Sequence, residues 1–202
     1  MKLSLFAALA VVGITTSAAA QNADLAAVSA HLKQVATMTA NFAQTDRVGK
    51  TLNGVLSLKR PGRVRFQYQK GVPILLVSDG KALTFIDYSV RQVQRWPIGN
   101  SPLAVLLNPD RDITRFARTI PAKNADTVLV EARDAKRPEF GVITMAFVRQ
   151  ASAPGGLMLQ GWVALDNQNN RTVVRLSGQQ FNVPISDDTF KWRDPRPVAP
   201  KR

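Results

Sequence analysis

A chain of 202 residues, 45% of them hydrophobic and none of them cysteine, can bury one sizeable core but has no disulfide, nucleophilic thiol or thiolate metal ligand. Lys and Arg total 27 against 14 Asp and Glu, a formal net charge of +13. Such a charge steers the protein toward phospholipid head groups, acidic proteins or nucleic acid. The basic residues are dispersed, and no helix-turn-helix, zinc-finger or aromatic RNA-binding signature accompanies them, so nucleic acid is set aside.

The chain opens with Met1-Lys2, a nearly unbroken apolar run from Leu3 to Ile14, and small residues ending in Ala18-Ala19-Ala20. Charged start, apolar stretch and small-residue exit are the order of a secretory signal. The apolar run has about a dozen residues, short of the roughly 20 that span a bilayer. Cleavage after about Ala20 is therefore expected: residues 1–20 a signal peptide, 21–194 a single domain, and the Pro-rich 195–202 a disordered tail.

Asn22 is placed to cap a helix starting at Ala23, on which Leu25, Val28, Leu32 and Val35 recur at spacings of three and four, one apolar stripe. The helix is expected to end near Thr37. The only histidine, His31, lies off that stripe and reads as a solvated residue.

Beyond Asp46 the period becomes two. Gly54, Leu56, Leu58 and Arg60 share one face, while Val55, Ser57 and Lys59 share the other. Pro61-Gly62 marks a turn, after which Val64, Phe66 and Tyr68 alternate with Arg63, Arg65 and Gln67. Ile74 to Val77 runs into Ser78-Asp79-Gly80, a hairpin signal. A short strand through Leu83, Phe85 and Ile86 to Asp87 and a polar, edge-like strand from Val90 to Trp96 follow. Asn100-Ser101-Pro102 reads as the start of a second, very apolar helix through Leu103, Val105, Leu106 and Leu107. Further strands are expected over 127–132, 140–148, 157–165, 171–176 and 189–192, with a turn at 166–170.

Many short strands at hairpin spacing make an antiparallel barrel or sandwich. The two helices either cap a closed, filled barrel or cover the concave face of a curved, incomplete sheet. Runs apolar on both faces, Ile74 to Val77 and Val142 to Phe147, favour the incomplete sheet, because one packed core would not consume that surface. Catalytic chemistry finds no support: there is no nucleophile elbow, P-loop or dinucleotide fingerprint. The carboxylates of Asp187-Asp188, on adjacent strand positions, and of Asp110-Arg111-Asp112 lack the geometry of an acid–base pair. Arg60 is the unusual placement. Beside an apolar face its guanidinium either reaches water at the strand end or donates to the open carbonyls of a helix end, latching a lid.

Phe42-Ala43-Gln44, then Gly54-x-Leu56-x-Leu58-Lys59-Arg60-Pro61-Gly62, Arg65-Phe66-x-Tyr68 and Leu76-Val77-Ser78-Asp79-Gly80-Lys81 come in an order that resembles the LolA family of periplasmic lipoprotein carriers. Asn100-Ser101-Pro102-Leu103 and Asp188-Thr189-Phe190 fit as well. The resemblance implies a mainly β protein, an open (incomplete) antiparallel β-barrel with a helical lid over a hydrophobic cavity. It implies a monomeric periplasmic chaperone, not an enzyme, without cofactor, metal or nucleic acid. Its implied partners are acylated lipoproteins, an inner-membrane lipoprotein-releasing ABC transporter and an outer-membrane acceptor where one is present. The family's lid-locking Arg falls on Arg60. Its cavity residues fall on Leu56, Leu58, Val64, Phe66 and Tyr68, and the lid helix contributes Leu103 and Leu106. A sensor or adaptor of the same fold, binding lipoproteins, other lipids or acidic proteins, is the alternative. Arg63 and Arg65 depart from what a loop near acyl chains would carry.

Overall fold

The computed structural model describes residues 16–98, 107–108 and 113–197, with side chains from Ala20 onward. One helix, α1 (Thr16–Gln34), precedes β1 (Thr37–Thr45), β2 (Thr51–Lys59), β3 (Arg63–Tyr68), β4 (Ile74–Asp79), β5 (Ala82–Asp87) and β6 (Gln92–Pro97). After residues 107–108 come β7 (Ala117–Ile120), β8 (Thr127–Arg133), β9 (Val142–Arg149), β10 (Leu157–Leu165) and β11 (Arg171–Phe181).

The strands form one antiparallel sheet in the order β6-β5-β4-β3-β2-β1-β11-β10-β9-β8-β7. Each half of the chain is a meander, and the halves join where β1 pairs with β11. The terminal strands β6 and β7 do not pair with each other, so the barrel is open. β6 is a true edge, in keeping with its polar sequence, and the charge of Arg95 on it blunts pairing with other chains.

α1 lays Val28 and Leu32 into the core, and Val35, just past its end, follows them. The stripe is as expected but the boundaries are not. The helix begins before Asn22, which sits inside it, because the alanines ahead of Asn22 are strong helix formers. It ends at Gln34, three residues before Thr37. There the Asn182 side chain accepts from the Ala36 amide (2.8 Å) and donates to the Gln34 carbonyl (3.1 Å), capping the helix from the end of the neighbouring strand β11.

His31 is a correction. It is buried, and Nδ1–H donates to the Pro154 carbonyl at 2.7 Å while the ring lies edge-on to Phe147 and Phe181. The turn between β9 and β10 folds onto α1 and covers it. Gly155 fits there because a Cβ would meet the His31 backbone nitrogen at 2.8 Å. No sequence period reports a contact made by a turn more than a hundred residues away.

β7, four residues long, escapes the periodicity. The strand expected at 189–192 is instead a 3-10 turn, Asp187–Phe190, in which the Ser186 hydroxyl accepts from the Asp188 amide. Asp187 and Asp188 are therefore turn residues and not strand neighbours. This C-terminal segment explains the two-faced apolar run at Ile74 to Val77. Leu75, Val77 and Ile86 point to the outer face, where Phe190, Ile185 and Trp192 cover them. That second apolar face belongs to a small outer core and not to a cavity.

Candidate functional site

Pairing places Leu56 opposite Phe66, Leu58 opposite Val64 and Gly54 opposite Tyr68. Strand alternation turns Leu56, Leu58, Val64, Phe66 and Tyr68 to the concave face, and all five line a cavity of about 370 Å³. Across the concavity the wall is completed by Met38, Ile143, Leu159, Trp162 and Val174, with Leu76, Leu83 and Phe85 on the other flank. Among the described residues the lining carries no charged side chain. Its polar members include Gln44, which accepts from the Tyr68 hydroxyl at 2.8 Å, and Thr172. Burial pushes the Tyr68 phenol above its usual pKa, partly offset by that bond, so it stays neutral. A larger hollow of about 650 Å³ beside Gln34, Pro154 and Asn182 is a shallow, mostly polar depression without the enclosure an apolar ligand needs.

Aromatic rings set the width of the cavity. Phe42 stands edge-on to Phe66 and to Tyr68, both at 5.2 Å, and Phe66 is edge-on to Trp162 at 6.0 Å. The last contact joins β3 to β10, which have three strands between them in the sheet, and so measures how strongly the sheet curls. Gly54 leaves room for the Phe42 ring, which a Cβ would approach to 2.7 Å.

The sequence reading missed the far wall for an identifiable reason. Leu157 and Leu159 point inward, and a bulge then inserts a residue before Gly161, so inward parity passes to Trp162 and Ala164. Gly161 takes φ +148, and a Cβ there would meet the Val174 carbonyl oxygen at 2.1 Å. A glycine inside a strand pattern is the available signal of such a bulge. Leu103 and Leu106 lie outside the described residues, as does Asp110-Arg111-Asp112. Leu107 from the same segment lines the cavity.

Arg60 stands at the end of β2, where the ladder runs into the junction between α1 and β1. Its backbone amide donates to the Ala36 carbonyl at 2.9 Å. Its guanidinium Nε donates to the Val35 carbonyl, just past the last turn of α1, at 2.9 Å. Two residues on, the Gly62 amide donates to the Leu107 carbonyl at 3.0 Å. One turn thus holds the end of α1 and the end of the second lid segment together. The Arg60 charge also lies close enough to His31 to reinforce burial in lowering the imidazole pKa; the Pro154 bond opposes both.

The turn is itself pinned. Gly62, at φ +70, packs so closely on the turn between β4 and β5 that a Cβ would meet the Gly80 Cα at 2.6 Å. The buried Ser78 hydroxyl donates to the Gly62 carbonyl (2.7 Å) and accepts from the Gly80 amide (3.0 Å). Asp79 accepts from the Lys81 and Ala82 amides, closing the same hairpin. The Arg-Pro-Gly and Ser-Asp-Gly sequences are therefore the two halves of one contact.

Arg63 and Arg65 face away from the cavity. Lys59 and Arg63 both hold Asp187, at 2.6 and 2.8 Å, and the Arg63 guanidinium sits 5.9 Å from the centre of the Phe190 ring. Arg65 donates to the Lys191 carbonyl at 3.0 Å. Their positive charges strap the C-terminal segment onto the outer face and leave the cavity to apolar side chains.

Residues 33–193 match the model of the family described as outer membrane lipoprotein carrier protein LolA. An outer-membrane lipoprotein carrier protein of Chromobacterium violaceum is 28% identical over 90% of this chain and 89% of its own length. One from Pasteurella multocida is 29% identical over 83% of this chain and 81% of its own. The crystal structure of a LolA superfamily protein from Nitrosomonas europaea superposes with a TM-score of 0.50 at 11% identity, covering 85% of this chain and 97% of that one. This is a family of carriers and not of enzymes, and on the match across its whole sheet the chain belongs to the LolA family of outer-membrane lipoprotein carriers.

Proposed function

We propose that the protein is exported to the periplasm with loss of residues 1–20, and there shelters the acyl chains of lipoproteins between release from an inner-membrane ABC transporter and delivery to the outer membrane. The observation that supports this is the cavity walled by β2, β3 and β10, uncharged among the described residues, with Arg60 at the end of β2 bonded to the Val35 carbonyl. A volume of about 370 Å³ lies at the low end of the roughly 300–1,000 Å³ of small-molecule sites. It accepts part of an acyl chain as it stands. Parting the Phe66 and Trp162 rings would admit more.

Burying acyl methylenes gains about 0.8 kcal/mol each, so several chains in an open, ready-made cavity would hardly leave. A closed empty state that competes with cargo keeps affinity moderate. In this proposal Arg60 stabilises that closed state, and neither nucleotide nor metal acts on this protein.

Native mass spectrometry of the protein from its own periplasm, beside Arg60→Leu, tests the proposal. A fraction carrying the added mass of an acylated lipoprotein, enriched in the variant, is expected. A ligand-free mass in both, with no transfer of acylated cargo, would refute it.

A further inference from the structure

Antiparallel order sends the β1–β2, β3–β4, β5–β6 and β10–β11 connections to one end of the barrel, opposite the Arg60 turn. Gln44, Tyr68 and Thr172 bring the cavity lining to this same end. Two of its hairpin tips carry apolar side chains into solvent: Val48 is 74% exposed and Val90 66%, with Tyr88 beside Val90 also exposed. These are the two most exposed large apolar side chains recorded among the described residues, and neither packs on the core.

Cations flank them. Arg47 and Lys50 bracket Val48, Arg91 follows Val90, and Lys70 and Arg171 occupy the neighbouring connections. None of the five enters an ion pair among the described residues, whereas Arg63, Arg95, Arg118, Arg149 and Arg196 elsewhere all do. The carboxylates at this end are held within their own connections: in the β8–β9 connection, which reaches the same end, Asp134 accepts from the Lys136 amide and Glu139 pairs with Arg137 at 3.6 Å. Asp46 accepts from the Val48 and Lys50 amides, Asp87 from Ser89, and Asp166 from the Gln168 and Asn170 amides. Between the β1–β2 and β10–β11 tips a cleft of about 370 Å³ is lined by Arg47, Asn170 and Arg171, beside Asp46.

We infer that this end docks on an anionic phospholipid bilayer, with Val48, Val90 and Tyr88 entering the interface and Arg47, Lys50, Lys70, Arg91 and Arg171 meeting the head groups. Apolar side chains at the tips of a cationic rim match an interface that is apolar below and anionic above; an acidic protein surface would give the two valines nothing to enter. The net charge, +13 for the full chain and +12 once Lys2 is lost, supplies the long-range attraction, and the tips supply the orientation. Docked this way, the end of the cavity faces the membrane. This inference goes beyond the carrier reading and needs no cargo.

The test is sedimentation of the exported, cargo-free protein with phosphatidylcholine vesicles made with and without phosphatidylglycerol. Binding to the anionic vesicles alone is expected. Each cation near an anionic surface contributes about 1 kcal/mol, about fivefold in affinity, so Arg47→Glu/Lys50→Glu should weaken binding at least 25-fold, on the order of that value squared by charge reversal. Lys33→Glu/Lys123→Glu, an equal change of charge at the other end, should cost far less. Val48→Ser/Val90→Ser should weaken binding about tenfold without altering the net charge. All three pairs are exposed, so unfolding midpoints should match the parent. No binding to anionic vesicles, equal losses from both charge pairs, or full binding without the two valines would overturn the inference. Equally tight, valine-independent binding to soluble polyglutamate would assign the surface to acidic proteins instead and overturn it too.

Discussion

If Arg60 holds the empty cavity shut, removing its side chain must tighten cargo binding, and the amount can be worked from the geometry. The 2.9 Å bond from Nε to the Val35 carbonyl is a charged donor on a backbone acceptor, a class that contributes about 1.5–3 kcal/mol. Loss of that bond lowers the closed-to-open ratio by about 10- to 150-fold, at 1.4 kcal/mol per factor of ten. Apparent affinity is reduced by the fraction of molecules competent to bind, so freeing the lid raises it by up to the same factor. Leu in place of Arg removes the donor while keeping apolar bulk beside Leu58. Titration of a fluorescent diacyl lipopeptide into the wild type and Arg60→Leu at two salt concentrations measures this. The variant should bind at least tenfold tighter at both, because burial of acyl chains is not screened. Affinities within threefold of each other would refute the latch, whatever the variant does in vivo. Arg60→Lys offers a further discrimination: its ammonium lacks the side-on Nε–H, so it should fall nearer to Leu than to Arg.

Gly62→Ala should cost at least about 1–2 kcal/mol in urea unfolding, since an L side chain at φ +70 is strained and its Cβ would meet the Gly80 Cα at 2.6 Å. A change under 0.5 kcal/mol, on the order of a neutral surface substitution, would deny the close turn-to-turn contact. Phe190→Ala, on the outer face, should destabilise by about 3–5 kcal/mol and leave diacyl-lipopeptide affinity unchanged among folded molecules; altered affinity would mean that outer core and cavity are coupled. His31 has a folded pKa below its ordinary 6.5, mainly from burial, so the unfolded chain takes up a proton first as pH falls. Its contribution to stability is complete above pH 6.5 and declines as the pH drops from there toward the folded pKa. Unfolding midpoints of His31→Gln should therefore fall less than those of the wild type below pH 6.5, and parallel curves would place His31 in water.

What was legible in the sequence was local. Period two from Gly54 to Tyr68 placed five cavity side chains on one face, because β2 and β3 are adjacent, unbulged and joined by a tight turn. Arg60 was legible as an anomaly, a guanidinium ending an apolar face, although the choice between water and a helix-end carbonyl was not. The same rule failed on β10, where one inserted residue at the Gly161 bulge moved Trp162 and Ala164 to the inner face. It failed on His31 because periodicity reports which side of a helix a residue occupies and not what later folds over it. The β9–β10 turn, folding back onto α1, turned an off-stripe histidine into a buried one.

The run Ile74 to Val77 shows how a correct inference about the fold can rest on the wrong surface. Apolar residues on both faces were taken to mean more apolar area than one core consumes, hence a cavity. The surplus is real, but Leu75 and Val77 are used by the C-terminal segment, and Leu76 alone of the four lines the cavity. The hollow arises instead from curvature. Eleven strands that do not close are bent until Phe66 and Trp162 nearly meet, and their concave face has more apolar area than α1 covers. The basic residues of β3 belong to the same division. Arg63 and Arg65 fasten the outer segment, and Arg60, at the end of β2, bonds the Val35 carbonyl at the end of α1 on the inner side. The strap on one face and the Arg60 contact on the other meet at the Pro61-Gly62 turn, so the rigidity conferred by Ser78 and Gly80 fixes where the Arg60 guanidinium meets the Val35 carbonyl at the end of α1.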